Sequence, residues 1–159
     1  MSSPQPPLAD FSEADSRLVA TKVSQHLVEG EAPIFFCGEP IGLAIHSFAW
    51  DEGLQEDRIG DGYTVFTEKP DGTADIIWYG TSSGTIRTTE DGGNIRRLKS
   101  IDGRDLDSWL VDYPRYGISE NFAVLESPDG ELFAFQSTFK LNAPTGQSAR
   151  LFRAKCKRA

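Results

Sequence analysis

The sequence predicts an α+β protein, in which an N-terminal helix packs on a bent antiparallel β-meander or a partly closed β-barrel of about 8–10 strands. Asp-Gly pairs at positions 71–72, 91–92 and 129–130, each between two extended runs, indicate the sheet. Such pairs close antiparallel hairpins, because aspartate hydrogen-bonds its own backbone and glycine adopts positive φ without steric cost. One amphipathic stretch near the N-terminus indicates the helix.

The size of the chain predicts a single domain. It has 159 residues, of which 38% are hydrophobic, enough for a sizeable core. We expect residues 11–159 to form this domain and the Pro/Ser-rich residues 1–10 to be a disordered lead. The sequence shows neither a signal peptide nor an apolar run of membrane-spanning length, which predicts a cytoplasmic protein. Export through the N-terminal lead is the alternative.

The charge balance limits the classes of partner. With 24 acidic and 16 basic residues, the formal net charge is −8. A strongly acidic chain is repelled by nucleic acid and by anionic membranes, so we expect neither as a partner. A basic protein is the partner that this charge favours. The sequence does not indicate an oligomeric state.

The helix is predicted over residues 11–29. Ser12 is its expected N-cap, Asp15 completes a capping box and Gly30 ends it. His26 lies beside the apolar stripe, where we expect a boundary residue without a partner. The stripe consists of apolar residues at helical spacing, which are Leu18, Val19, Val23, Leu27 and Val28.

The rest of the chain is typical of strands joined by short turns. Residues 32–37 and 41–50 predict two strands across the turn at 38–40. Residues 149–156 predict a last strand, which we interpret as an edge strand protected by its basic end. Three hairpins are expected at the Asp-Gly turns, pairing residues 63–68 with 73–79, 85–89 with 94–101, and 121–126 with 132–141.

The second arm of the last hairpin alternates strongly between apolar and polar residues. Phe133, Phe135, Phe139 and Leu141 share one side of this strand. Because apolar sides of strands usually pack inward, we expect these four residues to face the core.

The two cysteines, Cys37 and Cys156, are too few for a disulfide framework or a four-cysteine zinc site. We expect two buried reduced thiols in a reducing compartment. The alternative is a disulfide that joins an early strand to the last one.

No motif in the sequence indicates catalysis. There is no Gly-x-Ser-x-Gly, no phosphate-binding loop and no dinucleotide fingerprint, and the two histidines lie in different predicted elements. We therefore predict no catalytic residues, no metal ligands and no cofactor.

Residues 102–120 are the predicted partner-binding segment, because they read as a long irregular connection with aromatic residues among charges. Trp, Tyr and Arg dominate binding hot spots, and long loops often hold functional residues. Together with an acidic loop at 51–61, this segment favours a non-catalytic module of the inhibitor or immunity-protein type. In the alternative, residues 109–111 fold inward and the charges are merely solvated. The candidate partner-binding residues are Asp105, Asp107, Trp109, Asp112, Tyr113, Arg115 and Tyr116.

A second functional hypothesis is a small-molecule binder or cofactor-free enzyme with its pocket inside the barrel. Small barrels hold one ligand, and apolar walls with a few polar groups suit that use. The candidate pocket residues are His46, Phe48, Trp50, Trp78 and Tyr79.

Overall fold

The computed structural model describes residues 7–58, 62–80, 84–141 and 146–159. Most of the predicted lead, residues 1–6, lies outside this part of the chain. The described residues form one α-helix, one short 3-10 segment and eleven strands. In chain order these are α1 Glu13–Ser24, β1 Ala32–Cys37, β2 Ile41–His46, the 3-10 segment Ser47–Glu52, β3 Gln55–Arg58, β4 Gly62–Glu68, β5 Ala74–Gly80, β6 Gly84–Arg87, β7 Asn94–Lys99, β8 Asp105–Tyr113, β9 Ile118–Glu126, β10 Leu132–Lys140 and β11 Ser148–Arg158.

The strands form one antiparallel sheet that curls into a half-barrel, with the helix on its outer side. The strand order is β6-β5-β4-β1-β11-β10-β9-β8-β7, and β2 and β3 branch from β11. This architecture confirms the predicted α+β class and the partly closed barrel.

The last strand, β11, lies at the centre of the sheet, so the prediction of an edge strand is wrong. One hydrogen-bonding edge of β11 pairs with β10 along the whole length of β10. The other edge pairs first with β2 and then with β1. The predicted first two strands therefore do not pair with each other but follow one another along β11. Gly42 permits the close approach of β2, because a Cβ there would lie 1.8 Å from the carbonyl oxygen of Leu151.

Two of the three predicted hairpins are confirmed. They are β4–β5, closed by Gly72 with φ of 84°, and β9–β10, closed by Gly130 with φ of 80°. The middle one is wrong, because β6 pairs with β5 while β7 pairs with β8. After β6 the chain stays bonded to β5 through the Thr88 amide and the Ile76 carbonyl, and it then crosses to the opposite edge of the sheet.

The concave side of the sheet contains the main core. Trp109 is fully buried at its centre, with ring centroids 4.4 Å from Phe66 and 6.3 Å from Phe35. Phe122 packs edge-on against Phe66 at 5.8 Å. Such aromatic pairs contribute about 0.5–1.5 kcal/mol each beyond the area they bury. This aromatic cluster joins the strands β1, β4, β8 and β9 across the inside of the half-barrel.

The two cysteines form a disulfide. Cys37 in β1 lies opposite Cys156 in β11 and is bonded to it across 119 residues of sequence. The expectation of two reduced thiols is therefore wrong, and the alternative link between an early strand and the last one is observed.

The helix begins as predicted but ends earlier. Ser12 Oγ accepts a hydrogen bond from the Asp15 amide at 3.1 Å, and Asp15 accepts one from the Ser12 amide at 2.7 Å, which confirms the capping box. The helix ends at Ser24, and Val19 and Val23 pack on the outer side of β1, β4 and β5. The two ends of the predicted stripe, Leu18 and Val28, are exposed.

The segment after the helix is held in place by a buried ion network. Arg87 donates hydrogen bonds to Glu31 at 2.6 Å, to Asp75 at 3.1 Å and to the His26 carbonyl at 2.9 Å. The exposed fractions of the Arg87, Glu31 and Asp75 side chains are only 8%, 2% and 8%. His26 also contacts Thr85 at 3.3 Å, so the expectation that it has no partner is wrong.

Candidate functional site

The predicted partner-binding segment is a regular strand and not a long loop. Residues 105–113 form β8, which pairs with β7 and β9. Every second residue of its last part, Trp109, Val111 and Tyr113, faces the core. This period-two pattern is hard to recognise in the sequence, because charged residues surround it. The interpretation of 102–120 as an irregular connection is therefore wrong.

The two aromatic residues at the centre of that prediction belong to the core. Trp109 is 0% exposed and Tyr113 is 8% exposed. Burial raises the pKa of Tyr113 to about 12. These rings therefore have almost no surface that a partner could contact. For Trp109, this is what the alternative interpretation expected, in which residues 109–111 fold inward.

The other candidates on and after β8 are charged or exposed side chains outside the buried core. Asp105 pairs with Lys99 and Asp107 pairs with Arg97. The Asp112 carboxylate accepts a hydrogen bond from Asn94 at 3.1 Å, and the Arg115 guanidinium lies over the Tyr116 ring at 5.6 Å. Their role in binding stays a prediction.

The five predicted pocket residues do not form one pocket. Trp78 faces the inside of the half-barrel, whereas Tyr79, the next residue, faces outward and accepts a hydrogen bond from Lys22 at 3.1 Å. His46 stacks on Phe48 at 5.1 Å beside the 3-10 segment, and Phe48 and Trp50 are exposed. Only Trp78 lines the interior.

Residues 48–56 form an exposed surface, which we call the acidic ridge. Phe48, Trp50 and Leu54 are 73%, 68% and 65% exposed. Three exposed carboxylates lie between and beside these apolar residues in sequence, at Asp51, Glu52 and Glu56.

The outer side of the sheet centre is apolar and uncovered, because β10 has the opposite orientation to the one predicted. Its inward residues include Gln136 and Thr138, while Phe135 and Phe139 face outward and are 37% and 46% exposed. Leu43 and Leu151 lie opposite each other on the same side, at 37% and 59% exposure. We call these four residues the outer patch. Leu43 also lies opposite Glu56, so the outer patch adjoins the acidic ridge.

The interior of the half-barrel contains a cavity of about 260 Å³ that residues of five strands line, and we call it the polar mouth. Its lining residues are Trp78, Ile86, Glu120, Gln136, Thr138, Lys140, Arg150 and Phe152. Glu120 in β9 accepts hydrogen bonds from Gln136 at 3.3 Å and from Thr138 at 3.2 Å. Lys140 and Arg150 line the same cavity. Burial, together with repulsion from Arg150, lowers the pKa of Lys140, and burial raises the pKa of Glu120.

A larger groove of about 530 Å³ lies between the start of α1 and the β9–β10 turn. Its lysines already have ion-pair partners, since Lys155 lies 3.4 Å from Asp10 and Lys157 lies 3.9 Å from Glu13. In the polar mouth, by contrast, Arg150 Nε has no hydrogen-bond partner among the described residues although it lies 3.5 Å from Asp57 Oδ2, so we take this cavity as the better candidate for a ligand.

No protein-family model matches the chain, and no curated protein is significantly similar to it. In the described ranges, no three His, Cys, Asp or Glu side chains are grouped so that they could hold a metal ion. Across the same residues, no helix has the length and apolarity needed to cross a membrane.

Proposed function

We propose that this protein is a non-catalytic protein-binding module of the inhibitor or immunity-protein type, which binds a basic protein partner through the outer patch and the acidic ridge. The observation that supports this proposal is the orientation of β10, whose aromatic side faces solvent. The binding surface is therefore proposed on β2, β10 and β11, together with the 3-10 segment and β3, and not on β8.

The apolar part of the argument concerns the outer patch. The outer patch residues stand on three neighbouring strands, β2, β10 and β11. Among the residues that the structure describes, no helix lies over them, since α1 packs on β1, β4 and β5. A contiguous exposed apolar patch with a polar rim is typical of a protein interaction site. Covering a large apolar side chain fully yields about 1.5–3 kcal/mol, so covering the exposed parts of these four residues would contribute to the affinity of a complex.

The electrostatic part concerns the acidic ridge. Its carboxylates at Asp51, Glu52 and Glu56 stand next to exposed apolar residues, and the whole chain has a net charge of −8. A partner that presents an apolar face rimmed by lysine and arginine is complementary to this combination. Such charge pairs accelerate association and select the partner, while the apolar centre slows dissociation.

The cytoplasmic location stays a prediction. The Cys37–Cys156 disulfide opposes it, because disulfides persist mainly in oxidising compartments. The proposed binding surface does not depend on either location.

The test is capture of the partner on the immobilised full chain from an extract of the source cells, followed by measurement of the affinity for the purified partner. We expect one stoichiometric basic protein, released by high salt. The double variant Phe135→Ser with Phe139→Ser should bind at least tenfold more weakly. Ile101→Ser is the matched control, since Ile101 is a fully exposed apolar residue in the β7–β8 turn.

Three outcomes would contradict the proposal. They are an empty column, an affinity that the double variant does not change, and capture only of a second copy of this chain. Light scattering of the wild type and the double variant identifies the last case, because a dimer that dissociates in the variant would mean that the outer patch serves self-association. Circular dichroism confirms that the variants are folded.

A further inference from the structure

The polar mouth of the half-barrel contains polar groups that folding alone does not require. Gln136 and Thr138 are 6% and 2% exposed, on the side of β10 where a barrel of this kind normally has apolar residues. Burying such groups is costly unless they are hydrogen-bonded. They meet this cost by bonding each other at 3.1 Å and by donating to Glu120. A fixed carboxylate acceptor therefore lies inside the half-barrel.

Two cations stand beside this carboxylate without being fully neutralised. Arg150 Nε lies 3.5 Å from Asp57 Oδ2, but this buried nitrogen has no hydrogen-bond partner among the described residues. Among the described residues, the Lys140 ammonium group forms no hydrogen bond and no ion pair. The two cations repel each other, which lowers the pKa of Lys140 further than burial alone. An anionic group between them would relieve this repulsion and satisfy the buried nitrogen.

The charges that face the cavity favour a monoanion over a phosphate. Lys140 and Arg150 are opposed by two carboxylates, Glu120 from β9 and Asp57 from β3. A doubly charged phosphate would be attracted by two cations but repelled by two anions at the same time. A single carboxylate needs only the space between Lys140 and Arg150.

The remaining walls of the cavity are apolar. Trp78 in β5 and Phe152 in β11 line it, and Trp78 is held in place by Phe122 at 6.1 Å. The cavity volume of about 260 Å³ lies just below the range of about 300–1,000 Å³ that is typical of drug-sized ligands. The ligand is therefore small, with one flat apolar part for Trp78 and one acidic part for the cations.

We propose that the polar mouth is a binding site for a small organic carboxylate with an aromatic or apolar body. Lys140 and Arg150 hold its carboxylate, Trp78 and Phe152 contact its body, and Glu120 accepts a hydrogen bond from any donor that the ligand presents. This proposal does not rest on the proposed protein-binding function, because the site uses the inner side of the sheet.

The experiment is a titration of the ¹⁵N-labelled full chain with phenylacetate, phenylacetamide and inorganic phosphate. Affinities are measured by calorimetry, and the tryptophan indole resonances are followed by NMR. We expect phenylacetate to bind and to shift the indole resonance of Trp78, with Trp50 and Trp109 as internal references. Phenylacetamide and phosphate should each bind at least tenfold more weakly.

The variant Lys140→Met should weaken phenylacetate binding about tenfold, as expected for loss of one charge-assisted hydrogen bond. Lys99→Met is the matched control, because the Lys99 side chain is 62% exposed and pairs with Asp105 outside the cavity. The proposal is overturned if no probe binds, if the amide or phosphate binds as well as the carboxylate, or if both lysine variants have the same effect. The comparison of the three probes uses only the wild type, so it decides the matter even if Lys140→Met does not fold.

Discussion

Replacing Arg87 by methionine should destabilise the protein more than any exposed charge substitution. The Arg87 side chain lies between two buried carboxylates, Glu31 at 2.6 Å and Asp75 at 3.1 Å. Removing one partner of a buried ion pair costs about 3–5 kcal/mol, because the charge left behind is desolvated and unpaired. Loss of the bond to the His26 carbonyl adds about 1 kcal/mol. The expected loss of about 4–6 kcal/mol is a large part of the ~5–15 kcal/mol that stabilises a typical domain.

The pH dependence of this effect gives a sharper test than its size. Burial alone would raise the pKa of Glu31, but hydrogen bonds from Arg87 and Thr67 hold that pKa below its ordinary value of 4.5. In the wild type, the stabilisation from Glu31 is therefore present above pH 4.5 and is lost as the pH falls through the lowered value. Without Arg87, burial dominates and the pKa of the carboxyl rises. The variant should thus become more stable as the pH falls from neutral, opposite to the wild type.

The assay is urea unfolding followed by circular dichroism at neutral and mildly acidic pH. Arg104→Met is the control, because Arg104 also pairs with a carboxylate, Asp102 at 2.8 Å, but its side chain is 82% exposed. An exposed pair contributes about 0–1 kcal/mol, so this control should unfold almost like the wild type. If Arg87→Met loses less than about 1 kcal/mol, or follows the wild-type pH slope, the assignment of Arg87 as the centre of a stabilising network is wrong.

Three further predictions concern single features of the fold. Removal of the disulfide by Cys37→Ala with Cys156→Ala should cost about 2–5 kcal/mol in urea unfolding, since the bond closes a long loop, and unchanged unfolding would contradict this. Gly42→Ala should lower the free energy of unfolding by about 1–3 kcal/mol or more, because the new Cβ would collide with the Leu151 carbonyl. A melting temperature equal to that of the wild type would contradict this, since it would show that β2 can move away from β11. Glu120→Gln should stabilise the protein above pH 4.5 but not below it. Burial raises the pKa of Glu120, so the stability of the wild type falls as the pH rises from 4.5 toward the raised value, and the variant avoids this loss. Equal unfolding midpoints of the wild type and the variant at both pH 4 and pH 8 would refute this prediction.

The features that the sequence predicts correctly are those decided by local chemistry. The capping box needs only Ser12 and Asp15, and the hairpins at 71–72 and 129–130 need only a turn residue that adopts positive φ. The Asp-Gly pair at 91–92 has the same local signal and also turns the chain. Its flanking strands do not pair with each other, because each has a better partner elsewhere in the sheet. Local signals thus predict turns more reliably than pairings.

Which side of a strand faces the core cannot be read from alternation alone. The pattern of β10 shows correctly that Phe135 and Phe139 share a side, but it does not show that this side faces solvent. That orientation depends on strands far away in sequence, because the inner side of β10 joins a core that β1 and β4 also form. In β8, the inward alternation of Trp109 and Tyr113 is present but is hidden by the surrounding charges. Contacts that are distant in sequence decide both cases.

The polar mouth depends on strand register, which sequence patterns do not show. Glu120, Lys140 and Arg150 each resemble solvated charges in sequence, and the pairing of Glu120 and Arg150 with Thr138 on either side brings them together. Trp78 lies inside the half-barrel, but Tyr79, assigned to the same pocket from the sequence, faces outward because adjacent residues of a strand face opposite sides. The one sequence signal that could have indicated the site is the pair Gln136 and Thr138, two polar residues on the side of a strand opposite to its aromatic residues.

The two proposed sites use opposite sides of the same strands, which has a thermodynamic consequence. Leu151 belongs to the outer patch, and its neighbour Arg150 lines the cavity. Asp57, which pairs with Arg150, lies next to Glu56 of the acidic ridge on the short edge strand β3. A carboxylate ligand would compete with Asp57 for Arg150 and so weaken the ion pair between β3 and β11, which adds to the pairing of β3 with β2. Because coupling between two binding sites is reciprocal, a partner bound on the ridge must change the affinity of the cavity by the same factor as the ligand changes the affinity for the partner.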